Sequence, residues 1–221
     1  MSEVNQRTRL WLFAGGGLLI AFGIPELELG RRLASGDSLN ARLIREAFWW
    51  GLGAAMLTYV VFVEHRPLSS IGIRRPTATT FLIAVAAAML MLATVALSYA
   101  VIFPLLKLTV NRVALATITH NPVWLIVLMV ARAGVVEEIL YRGYPIERLQ
   151  EVSGSKWLAA SVPTVVFIFA HLSGWGPEQL IVVFFGALLL ALLYLWRRDL
   201  ICNMAAHFLV DLAGFLASPA G

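Results

Sequence analysis

Two adjacent carboxylates and an arginine, Glu137, Glu138 and Arg142, follow an apolar run at residues 123–131. Ionisable side chains at membrane depth are rare, and they usually face a protein interior or a water-filled cavity where they serve function. Glu138 and Arg142 are four residues apart, on one helical face and in the favourable order for an ion pair. Glu137 points about 100° away. We therefore expect Glu137 to be an unpaired carboxylate, free for chemistry, beside the buried Glu138–Arg142 ion pair. A purely structural role is less favoured, because it would leave the charge of Glu137 buried without compensation.

Two of the four histidines also lie in apolar segments, each with a notable neighbour four residues away. Phe167 and His171 share one helical face, and His207 and Asp211 share another. A lone histidine in an apolar helix is usually a hydrogen-bonded packing residue. Two of them, beside a Glu-Glu-Arg helix, instead predict a joint site that could activate water, bind a metal or relay protons.

The segments that carry these residues are long and apolar. Of the 221 residues, 60% are hydrophobic and 14% are charged, against about 45–50% and about 25% in a soluble domain. We predict an all-α polytopic membrane protein of about seven transmembrane helices, within a range of six to eight, with the site inside the bundle. The predicted spans are 10–23, 47–63, 81–106, a long fourth helix from about 122 to about 150, 157–175, 179–196 and 200–217.

The chain is predicted to be one integral membrane domain over residues 1–221, with N-terminal spans in 1–115 and a catalytic core in 116–217. The first apolar segment has no convincing cleavage site after it, so we expect a retained helix rather than a signal peptide. Residues 26–46 include a helical spacing that predicts an interfacial helix, and residues 107–121 are expected to be a loop. An excess of Lys and Arg predicts a cytoplasmic N-terminus.

Composition also excludes some classes of protein. The single cysteine, Cys202, cannot form an internal disulfide or a zinc site of several thiolates. The net charge of +4 is distributed over loops without a clustered basic stripe, so no nucleic-acid partner is expected.

Three short motifs follow one another in order on three apolar segments: Glu137-Glu138-x-x-x-Arg142, Phe167-x-x-x-His171 and His207-x-x-x-Asp211. In this combination the chain resembles the CPBP family of intramembrane glutamic endopeptidases, which includes the type II CAAX prenyl proteases. The run Glu-Glu-Ile-Leu-Tyr-Arg-Gly and the leucine at Leu149 also fit the first motif of that family. The resemblance covers roughly residues 120–215, and the earlier spans match only as generic membrane helices.

The resemblance implies roles for the catalytic residues. Glu137 matches the catalytic glutamate, a general base that activates water, and His171 matches the histidine that positions this water. His207 and Asp211 match the pair that stabilises the oxyanion. Such an enzyme would use no metal and no cofactor. These roles agree with what amide hydrolysis requires, namely a base and donors aimed at the developing oxyanion.

Three further residues, Glu138, Arg142 and Phe167, would shape and support the site. Asp211 departs from the pattern, since many members carry Asn there. An ionised carboxylate offers only acceptor atoms. Either Asp211 is protonated and donates as a neutral acid, which we expect, or it stays ionised and holds His207 as an imidazolium that donates instead.

Other functions are consistent with the same residues. Glu137, His171, His207 and Asp211 could be ligands of a zinc-dependent intramembrane hydrolase, although no His-Glu-x-x-His motif is present. Intramembrane acids and histidines also build proton relays in transporters, although we find no inverted repeat. A non-catalytic immunity or scaffold protein could keep the same fold.

The expected partners are the lipid bilayer and a membrane-anchored protein or peptide substrate. The substrate could be a prenylated C-terminus, a leader peptide or a C-terminal sorting tail. A prokaryotic cell (inner) membrane is the expected location. The sequence predicts neither the side of the membrane on which cleavage occurs nor an oligomeric state.

Overall fold

The structure, a computed structural model, describes residues 3–27 and 29–218. All regular secondary structure in these residues is helical, and the described chain contains no strand. This architecture confirms the predicted all-α class. In order, the helices are α1 (Glu3–Leu18, continued by Leu19–Gly23 and Ile24–Glu26), α2 (Leu29–Leu33), α3 (Leu39–Val63), α4 (Ala78–Leu105), α5 (Arg112–Thr119), α6 (Val123–Arg132, continued by Ala133–Glu137, Ile139–Gly143 and Tyr144–Ser153), α7 (Lys156–Trp175), α8 (Leu180–Arg197) and α9 (Leu200–Ala217).

Five of these helices, α3, α4, α7, α8 and α9, are long and apolar enough to cross a membrane. Thr8–Gly23 within α1 is a shorter apolar helix. Helix α6 is as long as the spans but carries the charges of the site. The chain is therefore a polytopic membrane protein in which five of the seven predicted spans meet these criteria, and α1 and α6 lie where the other two were predicted.

Polar side chains cap the helices where the sequence changes from loop to apolar run. Ser38 accepts a hydrogen bond from the Ala41 amide at the start of α3. At the start of α4, Thr77 and Thr80 form a reciprocal capping box. Asp199 accepts from the Cys202 amide at the start of α9. These caps satisfy amide groups that the first turn of a helix leaves without partners.

Two expectations about the polar segments are wrong. Helix α3 begins at Leu39 rather than near residue 47, so the predicted interfacial helix is its first two turns, with Ala41 and Glu46 buried. Residues 107–121 are not all loop, because α5 forms there, with the Asn111 side chain accepting from the Ala114 amide at 3.0 Å. In both places a capping side chain starts a helix in a stretch whose hydropathy is mixed.

The predicted long fourth helix is confirmed. Helix α6 continues from Val123 to Ser153 and ends at Gly154, whose φ of 71° suits a glycine. It contains two π turns, Ala133–Glu137 and Ile139–Gly143, on either side of Glu138. Such widened turns are often found at functional sites. Glu137 is the last residue of the first turn, and Glu138 lies between the two.

Close packing places α6 against α9. A Cβ at Gly134 would lie 3.0 Å from both the Met204 carbonyl oxygen and the Phe208 amide nitrogen. Only a glycine therefore lets the two backbones approach this closely. The approach brings the side chains that follow Gly134 on α6 within reach of those on α9.

The other end of α6 is fixed by a buried ion pair with the end of α3. Arg148 donates through Nη2 and Nε to the Glu64 carboxylate, at 2.6 and 2.9 Å to Oε2. The hydroxyl of Tyr144 donates to Glu64 Oε1 at 2.9 Å. Because both charges are buried, this cluster ties the N-terminal half of the chain to α6.

Candidate active site

The predicted ion pair on α6 is present and deeply buried. Arg142 Nη1 donates to Glu138 Oε1 at 2.8 Å, and the two side chains are 1% and 0% exposed. The guanidinium carbon lies 4.2 Å from the centre of the Phe167 ring. Phe167 therefore covers the pair with its aromatic face, a favourable contact for a cation.

Glu138 also gathers donors from α9. His207 Nδ1–H donates to Glu138 Oε1 at 2.9 Å, and Asn203 Nδ2 donates to Oε2 at 3.1 Å. The Glu138 carboxylate thus accepts hydrogen bonds from three side chains, those of Arg142, His207 and Asn203. These bonds hold the His207 ring in a fixed orientation. Sequence reasoning missed Asn203, although its position four residues before His207 in an apolar helix was a usable signal.

Glu137 is not the unpaired carboxylate that the sequence predicts. Arg132 Nη1 donates to Glu137 Oε1 at 2.6 Å, and Arg132 Nε lies 3.4 Å from Glu46 Oε2 on α3. Arg132 and Glu137 are five residues apart and meet through the π turn between them. A search at the i,i+4 spacing of an α-helix does not find such a pair.

His171 lies within α7, between its stretches Lys156–Ala170 and Leu172–Trp175. The backbone of the same helix fixes its ring. Its Nδ1–H donates to the Phe167 carbonyl oxygen at 2.7 Å. The Phe167 and His171 ring centres are 4.4 Å apart, as their spacing predicts. In the neutral imidazole this hydrogen bond leaves Nε2 as an acceptor.

A cavity of about 290 Å³ brings the predicted catalytic residues together. Glu137, His171, His207 and Asp211 all line it, although they come from α6, α7 and α9. A second cavity of about 290 Å³ is also lined by Glu137 and His171, together with Arg132. These residues are therefore shared between the two cavities.

His207 lies between two carboxylates. Its Nε2 is 3.5 Å from Asp211 Oδ2, and the Asp211 side chain is 29% exposed. Because Nδ1 donates to Glu138, Nε2 is the ring atom that faces Asp211. A proton between them would reside on Nε2 if His207 is an imidazolium and on the carboxyl if Asp211 is a neutral acid.

A metal-ligand set is not preformed here. Among residues 3–27 and 29–218, no three His, Cys, Asp or Glu side chains are grouped closely enough to hold a metal ion. The four residues that the zinc alternative requires line one cavity but do not converge on one point.

A polytopic helical protein with acids and histidines around an intramembrane cavity fits the class of intramembrane peptidases. Residues 119–213 match the family described as Type II CAAX prenyl endopeptidase Rce1-like. The match includes all three motifs, so this part of the chain is similar to that family, and the predicted resemblance is confirmed. No curated protein and no solved structure matches the chain. The family supports an intramembrane protease of the CAAX type in general.

Proposed function

We propose that the chain is an endopeptidase that hydrolyses a peptide bond of a membrane-associated protein or peptide, with Glu137 as the general base. The proposal is carried by one observation. Glu137 and His171 line the same cavity, and the hydrogen bond from His171 Nδ1–H to Phe167 leaves Nε2 as an acceptor. A carboxylate and an imidazole nitrogen are together suited to accept both protons of one water molecule.

In the proposed reaction this water donates one hydrogen bond to Glu137 and one to His171 Nε2. Its lone pair then attacks the carbonyl carbon of the scissile peptide bond while Glu137 takes a proton. The C–N bond breaks as the proton passes from Glu137 to the leaving nitrogen, giving a carboxylic acid and an amine. The ion pair with Arg132 holds the Glu137 carboxylate in position throughout.

The oxyanion of the tetrahedral intermediate is proposed to be stabilised from α9. His207 Nε2 and Asp211 Oδ2 lie 3.5 Å apart at the cavity, and whichever of them holds a proton can donate to the developing charge. Glu138 acts through His207, because it accepts the Nδ1–H and fixes the ring. It is a positioning residue rather than a catalytic one.

The Glu137→Gln variant tests the proposal, because it preserves volume and removes only the base. We expect proteolysis of membrane-anchored peptides in detergent to fall below a tenth of the wild-type rate. Glu151→Gln is the matched control, since Glu151 pairs with Arg66 and Arg148 outside both cavities. A Glu137→Gln variant that retains a tenth or more of the rate contradicts the assignment.

We also propose that residues 116–217 form the catalytic core of a single membrane domain. The proposed location is a prokaryotic inner membrane with the N-terminus in the cytoplasm. Reporter fusions at the N-terminus, active only in the cytoplasm or only outside it, test the orientation. A reporter active outside the cytoplasm would reverse it.

A further inference from the structure

A buried carboxamide faces the cavity at a distance from the acids and histidines. Gln179 precedes α8, is 4% exposed and lines the same cavity as Glu137. Its Oε1 accepts a hydrogen bond from the Tyr99 hydroxyl of α4 at 2.9 Å. A carboxamide also carries two N–H donors, and the described residues give its Nε2 no hydrogen-bond partner. Tyr99 thus holds the amide with its donors left for the cavity.

The helices give the distance from this amide to the reacting groups. Asn203 Nδ2 donates to both Glu138 Oε2 and the Leu190 carbonyl oxygen, which places Leu190 of α8 at the level of the site. Gln179 precedes Leu190 by about 16 Å, at 1.5 Å per residue. Helix α9 runs antiparallel to α8, and His207 lies four residues past Asn203, about 6 Å nearer to Gln179. The amide therefore lies about 10 Å from His207 along the bundle.

The wall between the two ends is apolar. It includes Leu92 and Val95 of α4 and Val182, Val183 and Ala187 of α8. A peptide carbonyl that enters such surroundings loses its hydrogen bonds to water and is stabilised only where a donor meets it. Among the described residues that line this cavity, Arg132 is the one Lys or Arg, and it lies at the site. No cation among these lining residues lies near Gln179 to neutralise a carboxylate. The amide is therefore better suited to donate to a neutral acceptor such as a peptide carbonyl.

We infer that the cavity holds an extended stretch of substrate, and that Gln179 donates a hydrogen bond to one of its main-chain carbonyl oxygens. An extended peptide advances about 3.3 Å per residue, so this carbonyl lies about three residues from the scissile bond. The inference rests on the proposed peptidase function. Because every residue has a carbonyl, the contact sets how far a peptide extends without selecting its sequence.

A binding experiment in the Glu137→Gln background tests this inference without depending on cleavage. The probes are two randomised peptide pools, one of ten residues and one of two, each with an N-terminal fluorescein and an amidated C-terminus. Fluorescence anisotropy in detergent gives the Kd of each pool. We expect the longer pool to bind more tightly, because only it extends from the site to Gln179.

Two substitutions then remove the donor in different ways. Gln179→Leu keeps the approximate volume, and Gln179→Glu keeps the shape but leaves acceptor oxygens. We expect each to weaken binding of the ten-residue pool about five- to tenfold, the effect of one net hydrogen bond, and to leave the two-residue pool unchanged. Gln150→Glu is the matched control, because Gln150 pairs with Arg198 outside the cavity.

Equal binding of the two pools overturns the inference. An unchanged Kd for the ten-residue pool in both Gln179 variants overturns it as well, and so does an equal loss for both pools, which would indicate a structural role. In the active protein, the same variants should raise KM for long peptides with kcat within about twofold. Failure of the proposed function would appear separately, as cleavage that persists in Glu137→Gln.

Discussion

At the scale of single residues, two adjacent glutamates differ in what surrounds them. Glu138 is fully buried and accepts from Arg142, His207 and Asn203. Glu137 has one strong partner, and its side chain is 12% exposed at the cavity. The first is saturated with donors and suited to hold other groups. The second can still meet a water molecule, which is why we assign the base to Glu137.

The buried pair should be needed for stability. Glu138→Ala leaves Arg142 buried without its carboxylate, and Arg142→Ala removes the charge partner of Glu138, so each should destabilise the protein by about 3–5 kcal/mol. Thermal unfolding in detergent measures this loss. Arg66→Ala is the control, since its pair with Glu151 is about a third exposed and should contribute less than about 1 kcal/mol. Melting unchanged by both core substitutions would contradict the buried network.

Asp211→Asn distinguishes the two protonation states at His207. If Asp211 is a neutral acid, Asn supplies a permanent donor, and activity should survive and persist to higher pH because nothing remains at this position to lose a proton. If Asp211 is ionised, the same change weakens the imidazolium, and the alkaline limb should move to lower pH. We expect the first result in pH–rate profiles beside wild type. A large loss of rate at every pH in a folded variant would rule it out.

At the scale of elements, helical spacing predicted the contacts that follow it. Glu138 pairs with Arg142, Phe167 stacks near His171, and His207 lies near Asp211. The pairing of Arg132 with Glu137 could not be predicted in this way, because it depends on a π turn that the amino-acid pattern does not specify. Helix α5 was missed for a similar reason, since its start depends on one capping asparagine. The long spans were predictable because apolar length alone defines them.

The close approach of α6 and α9 should depend on Gly134. Gly134→Ala places a Cβ against the backbone of Met204 and Phe208, so the helices must separate and the hydrogen bond from His207 to Glu138 should lengthen. We expect destabilisation of about 1–3 kcal/mol and reduced proteolysis. Gly51→Ala on α3 is the control, because nothing lies within 4 Å of the position that a Cβ would take there. Equal melting temperatures and rates for the two variants would contradict this packing.

At the scale of the whole molecule, the site is assembled from both halves of the chain. The family match covers residues 119–213, but Arg132 also contacts Glu46 on the earlier helix α3, and Arg148 contacts Glu64 directly after that helix. Two loops distant in sequence are also joined. Glu178 Oε2, in the loop before α8, accepts hydrogen bonds from the amide and the hydroxyl of Thr109, in the loop before α5, at 2.8 and 2.6 Å. These long-range pairs are what sequence spacing could not predict.

The loop contact should respond to pH. The hydrogen bonds from the Thr109 hydroxyl and amide lower the pKa of Glu178 below its usual value. A lowered pKa means that the contact stabilises the folded state above the unfolded pKa of about 4.3 and is lost as pH falls through the folded value. Glu178→Gln should therefore melt below wild type at pH 7, with the difference shrinking in acid. A difference that grows in acid would contradict the sign.

Chelators test whether proteolysis requires a metal ion bound anywhere in the molecule. We expect EDTA and phenanthroline to leave proteolysis unchanged, and elemental analysis to find less than stoichiometric zinc. The reason is that the described residues provide no group of three metal-binding side chains. Activity that is lost with chelator and restored by added zinc would favour the zinc-dependent alternative.

The contacts of Arg132 and Arg148 with Glu46 and Glu64 fasten the motif-bearing helix to a part of the chain outside the matched segment. Without those two acids, Arg132 would still have Glu137 and Arg148 would still have Glu151 as partners. Neither arginine would then be linked by charge to the earlier helix. The N-terminal part of the chain thus acts as a brace for the motif-bearing helix, although it carries none of the three motifs.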